Sequence, residues 1–363
     1  MQKILILWAV LLLLWIPVRA QDTAEQQRDL IGADRLEDGL TGHAAELMEG
    51  YDPNIQTDFT GGVREILSDA VRQSTTAVGA AMKTMLRILA ILTLCQLIRS
   101  MGKEGSGKLA AVTAALGITV CCASDVHTMV GLGRVTVEEI CTYTNLLLPV
   151  MSAATAASGA PSGAGAIYGI AVFFCGLLLQ VCQYVLIPMI YAYLALATAD
   201  DVLEQDRLAK VREMLGWIIK VFLKTVVYAF TGFLSITGLL SGAADAAVLK
   251  TLKSAISNMV PLVGGIISGA ADTVLTGAGL IRSAAGTFGM LALLAYFLLP
   301  FLRIGISYLM FKLTAALGGL LDGGHGRLLD AVTGAMGYLL AMTGSAVLMG
   351  LLACCFFLKT VTP

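Results

Sequence analysis

Charge is scarce in this chain. Only 13% of its 363 residues are Asp, Glu, Lys or Arg, roughly half of what a soluble domain carries. Histidine is nearly missing, with His43, His127 and His325 as the full set, and none of the eight cysteines forms a C-x-x-C pair. A zinc site therefore has no ligand pattern to rest on, and no cofactor is implied. There is no H-E-x-x-H, no Ser/His dyad and no pair of carboxylates placed for acid–base work, which argues against an intramembrane enzyme. All the cysteines, from Cys95 to Cys355, lie in the hydrophobic part. A disulfide framework is excluded on that ground, and small buried apolar side chains are the simpler reading.

What the chain has is apolar length. Hydrophobic residues make up 57% of it, and the stretch 77–358 is almost continuously apolar. One crossing of the roughly 30 Å hydrocarbon layer takes about 20 helical residues, so this stretch has room for about six to eight helices. Lipid admits only helices or closed barrels, and barrel strands would alternate in polarity. The segment 166–199 is apolar on every face instead. The fold class is therefore all-α, a polytopic transmembrane helical bundle preceded by a short amphipathic-helical exported segment. The candidate spans are 77–98, 109–132, 140–158, 166–199, 215–240, 260–281, 288–310 and 331–358. Pro188 makes the fourth a place to kink or divide, and Pro149 leaves the third open as a re-entrant element.

Three domains are expected. Residues 1–20 read as a secretory signal, with Lys3, an apolar run and Val18-Arg19-Ala20 before Gln21; an uncleaved anchor is the alternative. Residues 21–76 form an acidic extracytoplasmic segment with 12 acidic and 4 basic residues. Residues 77–363 form the membrane domain, with 18 basic and 13 acidic residues. The acidic segment argues against nucleic acid and anionic lipid as partners. Leu36, Leu40, Ala44 and Leu47 share a helical face, as do Val63, Ile66, Leu67, Ala70 and Val71, so two amphipathic helices resting on the bundle or on a partner are expected. The alternative is a mobile leader. Arg99, Lys103 and Lys108 follow the first span and favour a cytoplasmic loop, in keeping with an exported N-terminus.

Gly102 to Lys108 follows a phosphate-binding loop up to its last position, where Leu109 replaces the Ser or Thr that holds Mg²⁺. It also joins two spans rather than a strand and a helix, so it reads as a flexible basic loop. Charges inside spans carry more weight, because each is costly unless paired, hydrated or near an interface. Lys83/Arg87 and Lys220/Lys224 fit snorkelling. Asp125, His127, Asp272 and Arg303 are candidates for a polar path or an interhelical contact, with a structural or interfacial role as the other reading. Gly159 and Gly163, Gly238 and Gly242, and Gly265 and Gly269 have the small-xxx-small spacing that lets helices approach closely. A faint internal echo links Val185-Leu186-Ile187-Pro188 to Phe297-Leu298-Leu299-Pro300.

Several ordered stretches then point to a family. They are Leu146-Leu147-Leu148-Pro149 with Ala156-Ala157-Ser158-Gly159, Val185-Leu186-Ile187-Pro188, Gly238 to Ala244, Pro261-Leu262-Val263-Gly264, Ala271-Asp272-Thr273-Val274, and Tyr308 to Ala316. In order and spacing the chain resembles the stage III sporulation protein AE family of endospore-forming bacteria. The resemblance implies a multi-pass protein of the mother-cell membrane around the forespore. It also implies partners: other stage III sporulation proteins including a partner ATPase, with the forespore-side protein Q reached indirectly across the gap. The family offers no catalytic residues to carry over. A non-enzymatic component of a secretion-like channel complex is the leading function, and a permease with its own substrate path is the alternative.

Asp272 separates these uses of charge. If the carboxylate serves function, Asp272→Asn keeps protein abundance and lowers spore yield. If it is a structural ion pair, the substitution strands a buried partner at about 3 to 5 kcal/mol and lowers abundance. Immunoblots and spore counts on one strain check both, and wild-type values for both would leave Asp272 without a special role.

Overall fold

The computed structural model describes residues 35–52, 58–101, 106–203, 208–259, 264–321 and 326–359, with backbone alone at 99, 106–111, 238–259, 264–278 and 321. The signal at 1–20 lies outside the described residues. So do the side chains of Gly238, Gly242, Gly265, Gly269 and Asp272.

Every regular element among the described residues is a helix. Two short helices, α1 (Arg35–Asp38) and α2 (Gly42–Leu47), precede α3 (Phe59–Met101), α4 (Ser106–Ala157), α5 (Pro161–Val181), a π-helical turn (Cys182–Leu186) and α6 (Ile187–Leu203). Then come α7 (Ala209–Met259), α8 (Gly264–Leu321) and α9 (Gly326–Lys359). Among the described residues, six helical runs are long and apolar enough to cross a membrane: 59–98, 112–157, 161–203, 209–237, 279–320 and 326–359.

The eight expected spans become six because two pairs fuse. The spans at 109–132 and 140–158 are one helix, α4, and Pro149 stands inside it without ending it. The re-entrant element is therefore replaced by a continuous helix. The spans at 260–281 and 288–310 likewise run together in α8. The border at 76/77 is not a structural one, since α3 begins at Phe59 and passes straight through it. At Pro188 the helix neither divides nor stops. Proline has no N–H to give, and the ladder adjusts by widening one turn, with the Ile187 N–H bonded to the Cys182 carbonyl.

Direction and register follow from the closest side-chain approaches. Gly286 faces Met151 and Leu358, Gly289 faces Leu147, Gly350 faces Thr144 and Leu293, and Gly133 faces Ile304, Leu339 and Met342. Hence α4 and α9 both run antiparallel to α8. Gly62 faces Leu291 and Gly318 faces Leu92, so α3 runs parallel to α8. On the far side Cys141 of α4 lies beside Cys175 of α5, and Phe174 packs on Phe230 of α7 with ring centroids 5.5 Å apart.

These registers bring together the longest uncharged stretches. Residues 140–157 of α4, 161–199 of α5 and α6, 225–244 of α7, 283–302 of α8 and 331–358 of α9 contain no Asp, Glu, Lys or Arg. The contacts above set them side by side, a charge-free level about as thick as a bilayer core. Three buried hydroxyls are satisfied within their own helices, Thr144, Thr333 and Thr343 donating to the carbonyls of Ile140, Leu329 and Leu339, whereas the buried hydroxyls of Tyr143 and Thr155 have no hydrogen-bond partner among the described residues. Six of the eight cysteines are buried free thiols.

Gly159 and Gly163 do not share a helix. Gly159 has φ 101° in the turn between α4 and α5, a left-handed position that suits glycine, while Gly163 is buried in the first turn of α5.

Close helix approach leaves no room at Gly289, where an added Cβ would lie 2.5 and 2.6 Å from the two methyls of fully buried Leu147. Gly289→Ala is therefore expected to destabilise, with overpacking of about 1–3 kcal/mol exceeding the roughly 1 kcal/mol gained in helix propensity. Gly305→Ala, which meets open space, keeps the propensity gain. Thermal melts of the two variants in detergent should move in opposite directions.

Candidate functional site

Pro300 lies inside α8, so the carbonyl four residues before it, at Tyr296, has no intrahelical donor. In an apolar bundle an unpaired carbonyl is costly. The partner comes from about 250 residues earlier: His43 Nε2 lies 3.3 Å from the Tyr296 carbonyl oxygen and, as the Nε2–H tautomer, donates to it. The Tyr296 side chain completes the joint. Its hydroxyl accepts from the Thr41 backbone N–H at 2.8 Å and donates to the Gly39 carbonyl at 3.3 Å. The Thr41 hydroxyl stands 3.1 Å away.

Around this joint α1 and α2 are seated by packing. Leu36, Ala44, Leu47 and Met48 are buried in the main core. Gly39 lies so close to Leu146 of α4 that any side chain there would require Leu146 to move. Tyr143 of α4 packs on Tyr296 with ring centroids 5.4 Å apart. Gly42 and Gly50 take positive φ, 59° and 93°, which lets the chain turn twice within ten residues. Tyr51 closes the segment, its hydroxyl donating to Glu65 of α3 at 2.6 Å. Burial and this bond push the Tyr51 phenol up to about 12.

The polar surroundings of His43 come from three elements. Arg303 of α8 lies near enough to act on it, Glu46 stands on its own helix, and Glu139 of α4 lies beside Gly42. Burial lowers the His43 pKa below its ordinary value and the Arg303 charge acts in the same direction, while the bond to the Tyr296 carbonyl and Glu46 oppose them. A lowered histidine favours the neutral form in the docked state. The free segment therefore takes up protons first, and docking weakens as pH falls through and below the free value of 6.5.

The expected candidates scatter. Arg303, half-buried, belongs to the His43 neighbourhood. His127 stands higher on α4, with Nδ1 3.1 Å from the Tyr191 hydroxyl of α6. Asp125 is half-buried one turn from Cys122 and forms no ion pair with Arg303. A second polar joint lies at the opposite end of the bundle. Buried Asp200 accepts from the Leu208 N–H at 2.9 Å and lies 3.8 Å from Arg212. Nearby, Tyr193 and Tyr338 meet edge to face, with Lys220 Nζ 5.8 Å from the Tyr338 ring centre. Arg282 of α8 is buried with Nε and Nη1 unpaired. Sequence reasoning missed Tyr296, His43 and Glu139. The one signal for them was Pro300 within an apolar run, which marks an orphan carbonyl without naming its donor.

Comparison with known proteins bears on the whole bundle. The profile of the stage III sporulation protein AE family matches residues 47–360. The chain belongs to this family. A curated relative, "Stage III sporulation protein AE" of Bacillus subtilis (strain 168), is 21% identical over 273 residues, covering 75% of this chain and 68% of the relative. No solved structure matches. Tyr296, Pro300 and Arg303 fall inside the family match, whereas Gly39, Thr41 and His43 precede it.

The hydroxyl of Tyr296 is expected to hold the segment without holding the bundle. Tyr296→Phe keeps the ring against Tyr143 and removes two bonds worth about 0.5–1.5 kcal/mol each. Faster hydrogen exchange at residues 39–43 with unchanged protection in α8 and α9 is the expected result. Exchange at the same residues should also rise as pH falls from 7.5 to 5.5, and His43→Gln should flatten that dependence.

Proposed function

We propose that the chain is a non-enzymatic integral membrane component of a secretion-like channel complex that links mother cell and forespore during sporulation. Its family supports a role in sporulation. Its six long apolar helices support residence in a membrane as a multi-pass protein. As the family resemblance implies, the complex contains other stage III sporulation proteins and draws its energy from a partner ATPase; in keeping with this, the phosphate-loop-like stretch Gly102 to Lys108 is followed by Leu109 where a Mg²⁺-binding Ser or Thr would stand. The forespore-side protein Q meets the complex from across the gap. No nucleic acid takes part.

The chain sits in the mother-cell membrane around the forespore. Lys83, Arg87, Arg99, Lys210, Arg212, Lys220, Lys224, Lys312 and Arg327 all lie toward the end that holds Met101, Leu203 and Leu321. Basic residues favour the cytoplasmic side, so α1 and α2 belong to the extracytoplasmic half.

The family match over residues 47–360 carries this reading. A clean deletion in the source organism is expected to abolish heat-resistant spores after engulfment while vegetative growth stays normal, and tagged chain should recover other stage III proteins from sporulating membranes. Normal heat-resistant spores would overturn it. Solute flux through the purified chain alone in liposomes would favour a self-sufficient permease instead.

A further inference from the structure

At the level of Tyr296 one flank of the bundle breaks the charge-free pattern. The first turns of α3 run beside residues 283–302 of α8, as the approach of Gly62 to Leu291 shows, yet they carry Arg64, Glu65, Asp69 and Arg72. Arg64, Glu65 and Arg72 are exposed, and the Arg72 side chain is 82% exposed despite lying 3.6 Å from Asp69. The seat of α1 and α2 on Tyr296 adds Arg35, Glu37, Asp38, Glu46 and Glu49, all exposed, to the same flank. Charges exposed to hydrocarbon at this depth are strongly disfavoured.

The backbone gives an independent sign. Between α1 and α2, and again from Met48 to Asp52, the chain is turn or irregular, with Thr41, Glu49, Gly50 and Asp52 exposed. Irregular backbone at membrane depth persists only inside protein or along a water-filled cavity. Among the described residues no other element packs over this flank: α3 packs on α8 and α4, and Arg64, Glu65 and Arg72 on its outer face are exposed. A second copy offering the same flank is a poor cover, since acidic groups outnumber basic ones there and would face their own kind.

We propose that this flank, formed by α1, α2 and the first turns of α3, is one wall of a water-filled passage closed by neighbouring subunits. The proposal rests on the membrane-complex reading above. The passage would take hydrated, polar solutes, and lipid would meet the opposite faces, where Phe173 of α5 and Ile236 of α7 are exposed in uncharged stretches.

Cysteine reactivity tests it in membranes of sporulating cells that hold the full chain with its partners. In a Cys121→Ala, Cys355→Ser background, Glu46→Cys, Glu65→Cys and Arg72→Cys are compared with Phe173→Cys and Ile236→Cys, using a small charged methanethiosulfonate and immunoblots to confirm abundance. The three flank positions should react at least about tenfold faster than the two apolar ones, because a charged reagent does not enter hydrocarbon. Flank positions as slow as Phe173→Cys would overturn the proposal and leave the membrane reading intact, as would flank positions that react only after detergent has dissolved the complex. Rapid reaction at all five positions would overturn both, because the uncharged level would then lie outside lipid.

Discussion

A carbonyl that proline leaves without a donor governs how this protein is tied together. In hydrocarbon the backbone has no water to fall back on, so each proline inside a long helix demands a local remedy. At Pro188 the remedy is internal: the ladder shifts to the wider π spacing and the helix carries on. At Pro300 it is external, because His43 supplies the bond that the Tyr296 carbonyl lacks. That difference turns a helix defect into an anchoring point for the N-terminal segment. Tyr296 serves the anchor twice, through its backbone carbonyl and through its hydroxyl.

The anchor decides where the acidic segment resides. Two helices of four and six residues are far too short to be stable alone. They hold their shape because Leu36, Ala44, Leu47 and Met48 are buried in the bundle core. Burial draws their polar faces down to the level of the uncharged stretches, where charge is expected to be absent. One side of the protein therefore resembles a soluble surface while the other sides are apolar. A lone polypeptide in lipid would be poorly matched to its solvent on that side. The proposed assembly would resolve the mismatch, and this links the anchor to the proposed passage.

Much of the architecture was legible beforehand. Long apolar runs without strand-like alternation require helices, and the candidate spans agree with six of the observed runs once two pairs are joined. The joins went unseen because charge marks a boundary only when helix ends lie at the interface. Asp125, His127, Arg134, Glu138 and Glu139 interrupt the hydropathy of α4 without interrupting its helix, since they lie outside its uncharged stretch, where His127 has Tyr191 and Glu139 has the Gly42 turn as neighbours. Arg282 likewise interrupts the hydropathy of α8 without interrupting its helix.

The candidate site was less legible. Local sequence determined the helices, the uncharged stretches, the free buried cysteines and the amphipathic faces of α1 to α3, because each depends on residues within a few turns of one another. Family likeness was legible too, through the order of short apolar and glycine-rich stretches. Tertiary structure alone decided that His43 answers Pro300, that Leu146 meets Gly39, and that residues 39–43 lie beside Tyr296. Those pairings span a hundred to more than two hundred and fifty residues, and neither partner carries a mark of the other. Their energies come from burial and from satisfying one carbonyl and one hydroxyl, which exist as needs only after the bundle has formed.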